Sequence, residues 1–126
     1  MSEEIKNKLN FITIEDYIWI IYLGIIFMSW YSNSLERDYY LHNNLKSKKK
    51  YQDIMIGIFT ILLIIYLFFL YSAYQDYKNL KPTDSKHKKE FVTMSFIASI
   101  LLVISGIIFL YIAIKDNELY VELAFN

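Results

Sequence analysis

Three long runs of apolar residues, separated by polar and charged stretches, dominate the pattern along the chain. Charged residues are absent from Tyr17 to Ser34, from Ile54 to Gln75 and from Phe91 to Ile114. An α-helix rises about 1.5 Å per residue, so about 20 residues cross the ~30 Å hydrocarbon layer of a membrane. The runs therefore predict three transmembrane helices, at about residues 11–31, 53–75 and 91–114.

The second run distinguishes a membrane protein from a soluble helical bundle. A helix on the surface of a soluble protein has a polar face, whereas the segment IGIFTILLIIYLFFLY is apolar on every side. We therefore expect an all-α integral membrane protein, with a single membrane domain over residues 1–126 and a tail over residues 115–126. The first 17 residues lack the layout of a cleavable signal peptide, so we expect the first span to remain in the mature protein.

The segments between the runs predict how the helices are connected. Pro82, the only proline, should end the second helix near Leu80, and Asp84 or Ser85 can cap a third helix that begins at Lys86. This short link predicts that spans two and three form an antiparallel hairpin. Residues 32–50 form either a short interfacial helix or, as we favour, a continuation of the first span. The basic stretch KSKKK indicates that the second helix begins near Tyr51.

Composition narrows the class further. The chain has 126 residues, of which 56% are hydrophobic, and it contains no cysteine. Disulfides, thiolate metal sites and palmitoylation therefore have no residue to use. The abundance of Ile, Lys, Asn and Tyr is typical of an AT-rich coding genome, and we expect a bacterial origin.

Lysine and arginine near span ends favour the cytoplasmic side of a membrane. With three spans, one side of the membrane holds the N-terminus and the second loop, with seven such residues, and the other side holds six. This small difference favours a cytoplasmic N-terminus. It also permits dual topology, in which copies insert both ways and pair as antiparallel homodimers. We favour a single orientation, fixed by a partner, by the unequal loops or by the first span.

Glu15 and Asp16 are the only ionisable residues inside a plausible span. Carboxylates within a membrane are costly and often mark a proton or cation pathway, so the pair is a candidate transport site. The alternative, which we favour, places both residues at the interface, with the helix entering lipid at Tyr17. Acidic residues also suit the first turn of a helix, near its positive dipole end.

The third run contains small residues at Ser95, Ser99, Gly106 and Ala113. The last three repeat every seven residues and so share one helix face. Small residues allow helices to approach closely in lipid, where packing replaces the hydrophobic effect. We interpret the four as a helix-packing seam against span one, span two or another copy. Random scatter of small residues is the alternative.

The C-terminal segment NELYVELAFN alternates between apolar and polar residues, as a strand does. The apolar positions are Leu119, Val121, Leu123 and Phe125. One interpretation is a docking tail that adds to the sheet edge of a partner or fills a groove. The other is a frayed end that rests on lipid headgroups.

Two lysine clusters flank the second and third runs. They predict contact with anionic lipid headgroups, through Lys46, Lys48, Lys49, Lys50, Lys86, Lys88 and Lys89. Simple anchoring beside the membrane is the alternative. The formal net charge is zero and no nucleic-acid-binding motif occurs, so we expect no nucleic-acid partner.

Motifs for catalysis are missing from the sequence pattern. His42 and His87 fall on opposite sides of the second span, and we find no Ser-His-Asp set and no glycine-rich phosphate loop. We therefore expect no enzymatic activity, cofactor or metal. The sequence favours an accessory, regulatory or assembly component of a membrane complex, with a membrane-protein partner or further copies of itself. Alternatives are a holin-like or immunity-type protein and a small homo-oligomeric transporter using Glu15 or Asp16.

Overall fold

The computed structural model describes residues 2–121, and all regular structure among them is helical. The three helices are α1 (Glu3–His42), α2 (Leu45–Lys78) and α3 (Lys86–Lys115). Each is long and apolar enough to cross a membrane. The described residues therefore confirm the prediction of a helical chain with three helices of membrane-spanning length.

Helix α1 extends well beyond the first apolar run in both directions. Ser2 caps its start, because the Oγ of Ser2 accepts a hydrogen bond from the backbone N of Ile5 at 3.2 Å. Glu3 and Glu4 place negative charge in the first turn, where the helix dipole favours it. The helix contains 40 residues and is therefore about 60 Å long. The segment after the first run continues this helix, as we favoured, and forms no separate interfacial helix.

A turn of two residues, Asn43 and Asn44, joins α1 to α2. Asn43 ends α1 in the left-handed conformation (φ 51°, ψ 39°), which asparagine tolerates better than most residues. The Oδ1 atom of Asn44 accepts hydrogen bonds from the backbone N of Lys46 (3.1 Å) and of Ser47 (3.3 Å), as a helix N-cap does. Helix α2 consequently begins at Leu45, and the predicted start near Tyr51 is wrong.

The described chain divides into two compact units, residues 2–54 and residues 55–121. In the first unit, the buried residues of α1 are Ile18, Ile25, Ser29, Ser32 and Leu35. Their spacing of three, four or seven residues places them on one side of the helix. At the start of α2, Ser47 and Tyr51 are also buried.

In the second unit, α2 and α3 pack against each other in opposite directions. The ring of Phe59 stacks on that of Phe109, with their centroids 5.4 Å apart. Towards the other end of α2, the rings of Tyr74 and Tyr77 contact Phe96, with centroids 5.7 Å and 5.1 Å apart. Residues early in α2 contact residues late in α3, and residues late in α2 contact residues early in α3. The two helices are therefore antiparallel.

The link between these helices is closed by Asp84. Helix α2 ends at Lys78, four residues before Pro82, because proline has no N–H to donate to the carbonyl four residues earlier and its ring clashes with that carbonyl. The Oδ2 atom of Asp84 accepts a hydrogen bond from the backbone N of Lys81 at 2.7 Å, and this bond lowers the pKa of Asp84. Ser85 then caps α3, which begins at Lys86 as predicted.

Candidate functional site

Polar side chains from both sides of the α1–α2 turn converge on the carboxylate of Asp38. Its Oδ1 atom lies 2.8 Å from Nδ1 of His42. Its Oδ2 atom accepts hydrogen bonds from Nδ2 of Asn44 at 2.8 Å and from Oγ of Ser47 at 2.6 Å. These four residues, Asp38, His42, Asn44 and Ser47, are the turn cluster.

Local geometry explains how the turn cluster forms. Asp38 and His42 are four residues apart and so lie on one face of α1. The two-residue turn then reverses the direction of the chain. This places the first turn of α2 beside the last turn of α1. Ser47, nine residues after Asp38, consequently reaches the same carboxylate.

The hydrogen bonds keep Asp38 in its charged form. The bond from the Ser47 hydroxyl, followed by that from His42, lowers the pKa of Asp38 below its ordinary value of 3.8. Burial acts in the opposite direction but is outweighed. The side chain of Asp38 is therefore negatively charged at neutral pH.

The turn cluster contains the residue types of a Ser-His-Asp hydrolase but connects them differently. In that triad the histidine accepts the serine proton and the carboxylate orients the histidine. Here the Ser47 hydroxyl donates to Asp38, and His42 contacts the other oxygen of the same carboxylate. The three residue types therefore meet at one carboxylate without the connection that the triad requires. Their connection, however, stabilises a turn and does not activate Ser47 as a nucleophile.

The lysines at the start of α2 contact groups of the same unit. The Nζ of Lys48 lies 5.3 Å from the centre of the Tyr39 ring, and the Nζ of Lys50 lies 5.4 Å from that of Tyr31. Such cation–π contacts join the beginning of α2 to the end of α1. Lys49 pairs with Asp53 at 3.7 Å, and Lys46 is exposed.

The lysines at the start of α3 are held in a similar way. The Nζ of Lys88 lies 3.3 Å from Oδ1 of Asp84, and the Nζ of Lys89 donates to the backbone oxygen of Pro82 at 2.9 Å. Lys86 is exposed. Binding of lipid headgroups by either lysine cluster remains a prediction.

Helix α3 buries three residues, Ser99, Gly106 and Ala113. A Cβ atom at Gly106 would lie 3.1 Å from Cδ2 of Tyr66 and 3.2 Å from Cδ1 of Leu63. The absence of a side chain at Gly106 therefore allows α3 to approach α2 closely. Ser95, the fourth residue of the expected seam, is exposed, and its backbone oxygen accepts a hydrogen bond from Oγ of Ser99 at 2.9 Å.

The two candidate carboxylates differ in their surroundings. Glu15 is half-buried and Asp16 is exposed. Because α1 begins at Glu3, they lie in the fourth turn of the helix, so the expectation of a first-turn position is wrong. Both directly precede the apolar run that starts at Tyr17.

The described part of the tail forms a turn around Asp116. Its carboxylate accepts hydrogen bonds from the backbone N of Tyr120 (3.0 Å) and of Val121 (2.9 Å). Leu119, which precedes Tyr120, is in the left-handed conformation, with φ 55°. Residues 116–121 are therefore not extended as the alternating pattern indicated. Leu123 and Phe125 lie outside the described residues.

The sequence pattern did not predict the turn cluster, although two of its four residues have a recognisable spacing. The i, i+4 spacing of Asp38 and His42 is visible once α1 is known to continue past the apolar run. Ser47 joins them only because the turn has two residues, and the sequence pattern did not show that length. Within residues 2–121 there is no group of three or more His, Cys, Asp or Glu residues that could hold a metal ion.

Comparison with known proteins gives no relative from which a role for the turn cluster could be inferred. No protein-family model, no curated protein and no solved structure matches the chain.

Proposed function

We propose that the chain is a non-enzymatic multi-pass membrane protein that acts as an accessory or assembly component of a membrane complex. The turn cluster is the observation that carries this proposal. A simple membrane anchor needs no ordered structure beyond its apolar run. Here three side chains contact the carboxylate of Asp38, and two lysines lie over tyrosine rings. Such preorganisation lowers the entropy cost of binding a partner.

The apolar surface of the helices supports a location in the cell membrane. Large side chains on each helix stay exposed, among them Trp30 at 73%, Ile64 at 62% and Leu101 at 59%. Lipid or partner helices accommodate such side chains, whereas water does not. In this arrangement α2 and α3 form an antiparallel hairpin of two spans.

Purification from native membranes tests the proposed role. The tagged full-length chain, extracted in mild detergent, should recover a larger membrane protein in fixed stoichiometry. Asp38→Asn should reduce that recovery, because it weakens the hydrogen bonds that order the turn. Asp76→Asn, which changes an exposed acid near the end of α2, should not. A chain that purifies alone, or equal recovery with Asp38→Asn, would contradict the proposal.

The position of Glu15 supports a second candidate function, a small homo-oligomeric transporter. Glu15 is half-buried directly before the apolar run, where a carboxylate can bind and release a proton or cation. Cation-driven flux in proteoliposomes should then be lost in Glu15→Gln or Asp16→Asn and retained in Glu4→Gln. Flux that is the same in all three variants would reject this candidate.

A further inference from the structure

A stripe of exposed side chains runs along α1 on the side opposite its buried face. Its members are spaced by four or seven residues, which keeps them on one side of a helix. We call it the outer stripe, and it comprises Ile12, Asp16, Leu23, Trp30, Arg37 and Leu41. The exposed fraction is 51% for Ile12, 54% for Leu23, 73% for Trp30 and 69% for Leu41, and both charged residues are exposed.

Neither water nor lipid suits the whole outer stripe. Asp16 and Arg37 flank the apolar run and are separated by three heptads, or about 31 Å, close to the thickness of the hydrocarbon layer. Lipid chains therefore cover only the apolar middle of the stripe, and the two charges lie at the edges of the layer. Ile12 and Leu41 lie beyond the two charges, outside the hydrocarbon layer. Without a partner, these apolar side chains would be exposed to water. A second helix with a matching pattern would accommodate all of these side chains.

The outer stripe has the same arrangement of apolar and charged positions in either direction, with the signs of the two charges exchanged. In one reversed register, Asp16 faces Arg37 of the partner subunit, Leu23 faces Trp30 of the partner subunit, and Ile12 faces Leu41 of the partner subunit. In a parallel pair, by contrast, Asp16 would face Asp16 of the partner subunit and Arg37 would face Arg37 of the partner subunit, so that like charges meet. We therefore propose that the outer stripe is a homodimer interface, in which two copies pack their α1 helices antiparallel across the membrane.

Antiparallel copies must insert in opposite orientations, and the charge distribution permits this. The two sides of the membrane carry seven and six Lys and Arg residues, a difference of one. From the sequence we favoured a single orientation, but loop charge alone does not fix one. The ion pairs between Asp16 of one copy and Arg37 of the partner subunit form only when the dimer contains one copy in each orientation. This inference rests on the proposed membrane insertion and names a second copy as a partner in the assembly role.

Cysteine crosslinking tests the register directly, because the chain contains no cysteine. Leu23→Cys and Trp30→Cys, co-expressed on separate copies, should form a mixed disulfide in native membranes, and neither should crosslink well to itself. Ile26→Cys, next to the centre of the pair, should crosslink to itself. Met28→Cys, which is 45% exposed at a similar depth but off the stripe, should not.

Two results would overturn the antiparallel interface. Strong self-crosslinking of both Leu23→Cys and Trp30→Cys, without the mixed product, would show a parallel pair. No crosslink at any of these positions would show that lipid or a different protein covers the stripe.

Neutralising Asp16 tests the paired charges without altering the count of basic residues. Asp16→Asn removes both ion pairs of the dimer and should lower the yield of the Ile26→Cys crosslink about fivefold. Glu4→Gln removes an acid from the same helix but off the stripe, and should leave the yield unchanged. An undiminished crosslink in Asp16→Asn would contradict the assignment of Arg37 as the residue that Asp16 faces.

Labelling distinguishes failure of this inference from failure of the proposed function. In intact cells, an impermeant maleimide should label about half of the Asn43→Cys copies, because half of them place the turn outside. Labelling of all or none would overturn dual orientation. If Ile26→Cys is labelled as readily as Asn43→Cys, α1 does not span the membrane and the proposed function fails as well. An antiparallel crosslink without a copurifying larger protein would remove the accessory role and leave the homodimer.

Discussion

At the scale of single residues, Asp38 determines how α1 connects to α2. Its carboxylate receives hydrogen bonds from Asn44 and Ser47 and contacts His42, so one side chain joins the end of α1 to the turn and to the start of α2. An ionised carboxylate makes stronger hydrogen bonds than a neutral acid or amide in the same place. The order of the turn should therefore depend on this charge.

We expect Asp38→Asn to lower the midpoint of thermal unfolding, measured by circular dichroism in detergent at neutral pH. The effect should depend on pH. Because the pKa of Asp38 is lower in the folded chain than its ordinary value of 3.8, its contribution is complete above that value. The contribution is lost as the pH falls from there through the lower folded pKa.

The matched control for this change is Asp76→Asn, an exposed acid that lies outside the turn cluster. Its unfolding midpoint should stay within error of the wild type at neutral pH. A difference between wild type and Asp38→Asn that stays constant down to the most acidic conditions would contradict the role given to the carboxylate.

Gly106 is the second residue on which the packing depends. A larger side chain there meets Tyr66 and Leu63, so Gly106→Leu should lower the free energy of unfolding by about 1–3 kcal/mol, the usual cost of overpacking. Denaturant titration in detergent measures this change. Gly57→Leu is the control, because a Cβ at Gly57 meets no atom within 4 Å. Equal stability of the two variants would show that α3 does not approach α2 closely at Gly106.

At the scale of helices, the capping residues determine where each one begins and ends, and the apolar runs do not. The runs predicted spans of membrane length, because hydrophobic length is a direct physical requirement for crossing lipid. They did not predict that α1 extends from Glu3 to His42 or that α2 begins at Leu45. Those ends depend on the side chains of Ser2 and Asn44, which accept hydrogen bonds from backbone N–H groups, and on the left-handed backbone of Asn43. All three residues lie outside the runs.

Ser85 offers a simple test of this dependence on caps. Its Oγ accepts a hydrogen bond from the backbone N of Lys88 at 3.1 Å. We expect Ser85→Ala to lower the free energy of unfolding by about 1 kcal/mol, in the same titration, because a donor at the start of α3 loses its partner. Thr83→Ala, an exposed neighbour before the cap, should change it little. The assignment of Ser85 as the cap would be wrong if the two variants behaved alike.

At the scale of the whole molecule, hydropathy predicted the number of helices. Contacts between residues that are distant in sequence were harder to predict. The sequence pattern placed Ser99, Gly106 and Ala113 on one face, and these are the residues that α3 buries. Ser95 is exposed within α3, so its part in a packing seam stays a prediction. The sequence pattern missed the meeting of Asp38 and Ser47, which depends on the length of a turn.

The outer stripe shows what the structure adds to the charge count. Sequence alone treated Asp16 as one of two candidate carboxylates and Arg37 as one of many loop charges. Continuity of α1 through both positions places them on one exposed face. An acid and a base at opposite ends of one span then become a means of pairing inverted copies.

The central claim is that the apolar helices cross a membrane, and single cysteines in a chain that has none test it most directly. Ile64 lies in the middle of the second apolar run and is 62% exposed, so it is not shielded by the protein itself. In native membranes, Ile64→Cys should resist a water-soluble maleimide that labels Asn43→Cys and Thr83→Cys in opened vesicles, and it should react after denaturation. Labelling of Ile64→Cys at the rate of the two turn variants before denaturation would contradict the account.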